Sequence, residues 1–192
     1  MCDCCKKYIF LNTESVCLEC GEVCVDGRCC CGLGFRTFCV GYRDEPIGAL
    51  AEMYKFESVR ALGAELAEAL HLRLPYSVSR IVVPVPTARR HVRQRGLDHA
   101  LVVARELARL RGWRCDKGLV TRRLDSMQTG AGRKGRIAQA GEAFGLSKEV
   151  SAADYLVVDD IWTTGASAKA VVRLLKNAGA RSVDVVVLAR SR

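Results

Sequence analysis

Residues 157–169 read VVDDIWTTGASAK, an apolar run that ends in two adjacent carboxylates followed by two threonines, a glycine and a serine. Buried strands of α/β proteins are apolar throughout, so Asp159 and Asp160 are expected at the end of a strand, where side chains reach solvent or a ligand. A tight turn through Thr163, Thr164 and Gly165 into a helix would aim several backbone N–H groups at one point on the positive helix end, an arrangement that attracts phosphate. The hydroxyls of Thr163, Thr164 and Ser167 add hydrogen bonds, and Gly165 removes a Cβ where an anion must approach. Two carboxylates would repel that anion, whereas sugar hydroxyls or a bridging Mg²⁺ suit them. A ribose that carries a phosphate meets both demands.

A second chemistry-bearing region is the N-terminus. Ten of the eleven cysteines fall within the first 39 residues. No secretory signal accompanies them: MCDCCKKYIFLNTE lacks an apolar stretch of adequate length, which points to a cytoplasmic protein. Reduced thiols in the cytosol favour metal over disulfides. Cys2 and Cys5, and Cys17 and Cys20, form two C-x2-C knuckles that together satisfy one tetrahedral Zn²⁺. Cys24, Cys29 and Cys31 are available for a second zinc, with contiguous Cys30 between them. An iron–sulfur cluster is the alternative occupant, although knuckles that end in glycine, as in CLECG, favour zinc. Some forty residues bury little apolar area, so the metal's role here is structural. Cys39 and Cys115 read as small buried hydrophobes.

The elements that must position these groups follow from periodicity. FRTFCVGY, RIVVPVP, GLVTR, YLVVD and SVDVVVLA read as strands. A helix is expected to start at Pro46; another covers 58–73, with Ser58 as N-cap and Val59, Leu62, Leu66, Ala69 and Leu70 on its buried face. LDHALVVARELARLRGW and SAKAVVRLLKNAG supply two more. Alternating strands and helices imply right-handed crossovers and an α/β fold, a mainly parallel sheet with helices on both faces. The division expected is a small zinc-ribbon-like head over 1–34 and an α/β body over 35–192. Ligands of such sheets bind beyond the carboxyl ends of the strands. Three loops are expected there: 84–96, the Gly/Arg-rich 122–143, and 159–165.

The formal charge of +9 is concentrated. Residues 87–136 hold 14 Lys/Arg against 4 Asp/Glu, which favours an anionic partner, a phosphorylated metabolite or nucleic acid. Aromatics are only 6% of the chain, and within the basic region Trp113 alone offers a platform for base stacking. His71, His91 and His99 read as solvated or surface groups. No apolar stretch approaches the roughly 18 residues of a membrane span, so no membrane insertion is expected.

VVDDIWTTGAS resembles the signature by which type I phosphoribosyltransferases bind 5-phosphoribosyl-1-pyrophosphate. The cysteine knuckles, VPVPTARRHVRQRG, QTGAGRKGRIAQAGEAF and AGARSVDVVVLAR follow the order of the ComF family within that superfamily, so the resemblance covers nearly the whole chain. It implies the type I phosphoribosyltransferase fold. It places Asp159 and Asp160 on the ribose hydroxyls or a Mg²⁺ ion, and Thr163, Thr164, Gly165, Ala166 and Ser167 on the 5-phosphate. Pro86, Thr87, Ala88, Arg89 and Arg90 become the pyrophosphate loop. Arg133, Lys134 and Arg136 belong to a lid, and Arg136 joins the acidic pair as a catalytic group. The implied reaction displaces pyrophosphate from C1 of ribose in favour of an unidentified acceptor. The family's association with DNA uptake implies a second possibility, an accessory protein that handles single-stranded DNA or meets a DNA-uptake partner. A third is a metabolite-sensing regulator without turnover. The chain departs from the family pattern at 95–100, where RGLDHA stands for RGFNQA.

Overall fold

The computed structural model describes residues 15–24, 31–56, 61–75, 79–123 and 143–192. Strands β1 (Ser15–Val16) and β2 (Val23–Cys24) form an antiparallel ribbon around the CLECG knuckle. The body runs β3 (Thr37–Tyr42), α1 (Pro46–Phe56), α2 (Leu62–Arg73), β4 (Ile81–Pro84), α3 (Arg89–Arg95), α4 (His99–Arg111) and β5 (Arg114–Cys115). After these come β6 (Val120–Arg122), β7 (Phe144–Leu146), β8 (Asp154–Trp162), α5 (Ala166–Asn177) and β9 (Ser182–Arg190).

Five strands make one wholly parallel sheet in the order β3-β9-β8-β4-β5. Both faces are covered, as the continuous apolar runs require. On one face Val82, Leu156, Val158, Val186 and Leu188 pack against Tyr54 of α1, Leu66 and Leu70 of α2, and Val103 and Leu107 of α4. On the other, Val83, Tyr155, Val157, Val185 and Val187 meet Val171, Val172 and Leu175 of α5. Each such side chain, fully buried, contributes about 1.5–3 kcal/mol of transfer free energy. The α/β expectation holds.

Local expectations needed correction. GLVTR does not join the parallel sheet: β6 pairs antiparallel with β7 in a separate hairpin, whose Val120 and Phe144 cap the α5 face. The hairpin partner satisfies the backbone of β6, with Val120, Thr121 and Arg122 paired to Leu146, Gly145 and Phe144. The helix expected from Ser58 begins at Leu62 with Ala61 before it; Ser58 and Val59 lie outside the described residues. The stretch 84–96 is not all loop, since α3 occupies Arg89–Arg95 and is closed by Gly96, whose N–H donates to the Val92 carbonyl at 2.8 Å.

Where the chain changes direction matters most. From β4 the chain proceeds through α4 outward to the edge strand β5, and from β8 through α5 the opposite way to β9. The adjacent strands β4 and β8 are therefore the switch point of the sheet, where the loops above them diverge and open a crevice.

At the opposite end of the sheet, Asp184 is held by Arg36 at 2.7 Å and by the buried Arg80. Both Arg80 and Asp184 are less than a tenth exposed. Removing the carboxylate strands a buried guanidinium, so Asp184→Ala should cost about 3–5 kcal/mol in urea unfolding, far more than Glu52→Ala at the exposed Arg43–Glu52 pair.

Candidate functional site

A cavity of about 260 Å³ opens at the switch point. Pro86, Thr87, Ala88 and Arg90 line it from beyond β4, Asp159, Asp160 and Ile161 from β8, and Ser167 from the first turn of α5. Lys55 enters from the end of α1, Arg122 from the hairpin, and His91, Arg95 and His99 from α3 and α4.

The acidic pair is not at the end of its strand, as expected, but within it. β8 continues beside β9 through Ile161↔Ala189 and Trp162↔Arg190, while its pairing with β4 stops at Pro84↔Val158. The Val85 N–H still reaches the Val158 carbonyl at 2.9 Å. Beyond that bond Asp159 and Asp160 border the crevice, so they are strand residues on one side and site residues on the other. Their carboxylates are partly used at home: Asp159 Oδ1 accepts from the Asp160 N–H at 2.9 Å, and Asp160 Oδ1 from the Ile161 N–H at 2.7 Å. The alternation of faces breaks here, with Ile161 turned to the α1 side and Trp162 to the α5 side.

Lys55 lies 2.5 Å from Asp160 Oδ2. Asp159 sits in a different balance. Loss of water and the neighbouring Asp160 charge hold its carboxyl well above the usual carboxylate range, against the opposing pull of the Asp160 N–H and of Lys55.

Trp162 explains the glycine that follows. Gly165 adopts φ +65°, and a Cβ there would lie 2.1 Å from Cζ2 of the Trp162 ring. The expectation that glycine clears room for an anion is thus corrected: the room is taken by the indole. Thr164 Oγ1 accepts from the Ala166 N–H at 3.4 Å, and Thr163 is exposed. Of Thr163, Thr164, Gly165, Ala166 and Ser167, only Ser167 lines the cavity; the others build the turn that delivers it.

Asp98 organises the opposite wall. Its Oδ1 caps α4 through the Leu101 N–H at 3.3 Å and accepts from the Thr87 hydroxyl at 3.0 Å, which ties the loop after β4 to the next helix. In the expected pyrophosphate loop, Pro86, Thr87 and Ala88 are loop residues, and Arg89 and Arg90 open α3. His99, expected at the surface, is 3% exposed and packs edge-on against Tyr54 with ring centroids 4.8 Å apart. Its imidazole is held below the usual range by burial and then by Arg95.

Sequence reasoning missed Lys55, Arg95, His99 and Arg122. Each is remote from the acidic pair in the chain: Arg95 and Arg122 fall in the basic region and in loops expected near the strand ends, whereas no local signal marks Lys55. Arg133, Lys134 and Arg136 lie outside the described residues.

The cysteines regroup. The Sγ atoms of Cys17, Cys20 and Cys31 all lie within 4.8 Å of one another, with Cys17 and Cys31 at 3.5 Å. Cys31, expected beside Cys24 in a second site, stands instead with the CLECG knuckle, because the chain returns to it just before β3. Cys24 is buried, and its thiol donates to the Glu22 carbonyl at 3.3 Å. Cys2, Cys5 and Cys29 lie outside the described residues. Three thiolates around zinc at about 2.3 Å would be about 3.8 Å apart, so the group fits three corners of a tetrahedron. Cys39 is buried, and desolvation pushes its thiol up to about 12. Cys115 is half-buried and also raised, first by burial.

Mg²⁺ on the acidic pair is a poorer fit. Three of the four carboxylate oxygens already take an N–H or the Lys55 ammonium, and no other carboxylate among the described residues lines the cavity. An octahedral ion needs oxygens that can be freed.

The family model for the phosphoribosyl transferase domain matches residues 92–192, more than half of the chain. The chain belongs to this phosphoribosyl transferase family. It is also similar to Competence protein F of Haemophilus influenzae, 27% identical over 165 residues that cover 79% of this chain and 71% of that protein. DNA utilization protein YhgH of Salmonella typhimurium is 27% identical over 210 residues, with 100% of this chain and 90% of that protein covered. Among solved structures, a hypoxanthine phosphoribosyltransferase from Staphylococcus aureus is 17% identical with a TM-score of 0.40; 75% of this chain and 64% of that one are covered. An adenine phosphoribosyltransferase from Leishmania tarentolae is 13% identical with a TM-score of 0.41, covering 76% and 75%. Membership in the phosphoribosyl transferase family rests on the family model. No helix among the described residues is long and apolar enough to cross a membrane.

Asp159 yields a pH-dependent expectation. A carboxyl raised on folding favours the folded state fully below its unfolded value, near 3.9, and loses that contribution as pH rises through the folded-state value. Asp159→Asn keeps the acceptor and removes the ionisation. Its melting temperature should exceed that of the wild type at about pH 7.5, and the gap should close as pH falls toward about 4.

Proposed function

We propose that this protein binds 5-phosphoribosyl-1-pyrophosphate in the switch-point cavity and transfers the phosphoribosyl group to an acceptor with release of pyrophosphate. The observation that carries this reading is the convergence on one cavity of the acidic pair, the first turn of α5 and the loop after β4. In this reading Asp159 and Asp160 accept from the ribose hydroxyls. Ser167, delivered by the Thr163–Ala166 turn, holds the 5-phosphate at the helix N-terminus. Pro86 to Arg90 receive the pyrophosphate.

The reaction breaks the bond between C1 and the pyrophosphate oxygen, and the electron pair leaves with pyrophosphate. The acceptor forms the new bond to C1 and loses a proton. Positive charge grows on the sugar in between, next to the acidic pair, while Arg90, Arg95 and Arg122 face the departing negative charge. Arg133, Lys134 and Arg136 would add to that field from the segment that joins the two hairpin strands. Magnesium enters only as a counter-ion that the ligand brings with its diphosphate. The N-terminal head is proposed to hold a structural zinc through Cys17, Cys20 and Cys31, with a further cysteine as fourth ligand.

A second reading draws on the relatives' names: a role in DNA handling in which the basic region meets single-stranded DNA. One observation weighs against a stacking mode. Trp113 is partly buried against the core, and the Arg111 guanidinium lies 5.3 Å over its ring, where a stacked base would have to displace it.

Calorimetric titration of the metal-loaded protein with 5-phosphoribosyl-1-pyrophosphate distinguishes the readings. Binding should weaken roughly 10- to 100-fold in the Asp159→Asn/Asp160→Asn variant, the scale of lost hydrogen bonds to charged groups. Absence of binding to the folded wild type overturns the transferase reading. Salt-sensitive binding of an oligonucleotide that the double variant leaves unchanged would support the DNA reading.

A further inference from the structure

The acidic pair already has a cation. Lys55 Nζ is 2.5 Å from Asp160 Oδ2, both side chains are mostly withdrawn from solvent, and both line the cavity. The remaining Asp160 oxygen accepts from the Ile161 N–H, and Asp159 Oδ1 from the Asp160 N–H. A divalent ion on this pair would have to take Asp160 Oδ2 from the ammonium or bind at Asp159 Oδ2 close beside it, which like charge opposes. Lys55 is placed for this task by the fold. It occupies the last turn of α1, a helix anchored by Ile47, Ala51 and Tyr54 in the core, so its side chain reaches the crevice from a rigid element.

The charge count around the cavity agrees. With Lys55 set against Asp160, the described residues that line it include three further strong cations, Arg90, Arg95 and Arg122, and one further carboxylate, Asp159. This surround attracts a diphosphate without help from a divalent ion.

We propose that Lys55 takes the place of a protein-held divalent ion at Asp160, so that the site binds a phosphoribosyl diphosphate in the absence of divalent metal. Lys55 is then a positioning residue that keeps Asp160 oriented toward the sugar and neutralises it against the ligand's phosphates. The inference rests on the reading of the site as one for 5-phosphoribosyl-1-pyrophosphate.

The test is calorimetric titration of the full chain, its head loaded with zinc and then freed of excess metal. 5-Phosphoribosyl-1-pyrophosphate is titrated once with Mg²⁺ in excess and once without added divalent ion, with a weak chelator that spares the thiolate site. The wild type should bind with affinities within about threefold of each other in the two conditions. Lys55→Met should lose tenfold or more without Mg²⁺ and recover much of it when Mg²⁺ is present, because the vacated carboxylate can then take the ion. Lys55→Arg, which retains the positive charge, should stay metal-independent, and thermal melts of all three proteins establish that each is folded. Wild-type binding seen only with Mg²⁺, or Lys55→Met binding that is unchanged without it, overturns the role of Lys55 and leaves the ligand assignment standing. No wild-type binding in either condition overturns the ligand assignment itself.

Discussion

In a parallel sheet, a strand that outruns one neighbour while staying paired to the other must find new partners for everything on its open side. β8 does this at Asp159: β9 follows it to Trp162, but β4 has ended at Pro84. The stranded N–H groups of Asp160 and Ile161 turn to the carboxylates just before them, and the second carboxylate turns to Lys55. The crevice, the acidic pair and its charge balance all arise from this mismatch in strand length. It falls at the switch point because only there do the connections above adjacent strands lead away from each other.

The turn after β8 is held by packing on both sides. Trp162 is buried under Gly165, and Lys169 of α5 lies 5.4 Å over the indole ring while pairing with Glu19 of the cysteine knuckle. The knuckle is bound to the body in further ways. Leu18 is buried in the α5-side core, its N–H meets the Thr37 hydroxyl, and Arg190 at the end of β9 donates to the Cys17 carbonyl at 2.6 Å. Gly21 adopts φ +86°, a backbone conformation that L side chains rarely adopt. The cysteine cluster and the turn that leads into α5 therefore share one packed layer, and order in one supports order in the other.

The electrostatics of the cavity illustrate a general tension. Asp159 is kept where ionisation is disfavoured, and Lys55, Arg90, Arg95 and Arg122 line the same cavity. Such an arrangement is unfavourable for the empty fold and favourable once a polyanion with sugar hydroxyls is present, the usual signature of a binding site. The buried Asp184 with Arg36 and Arg80 at the other end of the sheet is the contrasting case, charges matched within the fold itself.

The α/β class, the longer strands and helices, the knuckle around Cys17 and Cys20 and the exposure of Asp159 and Asp160 to a crevice were legible in the amino-acid sequence. Each is a local signal: apolar periodicity, a two-residue spacing, or charge set against a hydrophobic run. What those signals could not carry was distance through space. Nothing local says that Lys55 meets Asp160 across more than a hundred residues, that Arg122 sits in a hairpin rather than in the sheet, that Cys31 returns to Cys17, or that Gly165 makes room for Trp162. Those facts depend on which strands become neighbours and where each one stops, and they are decided only when the whole sheet is assembled.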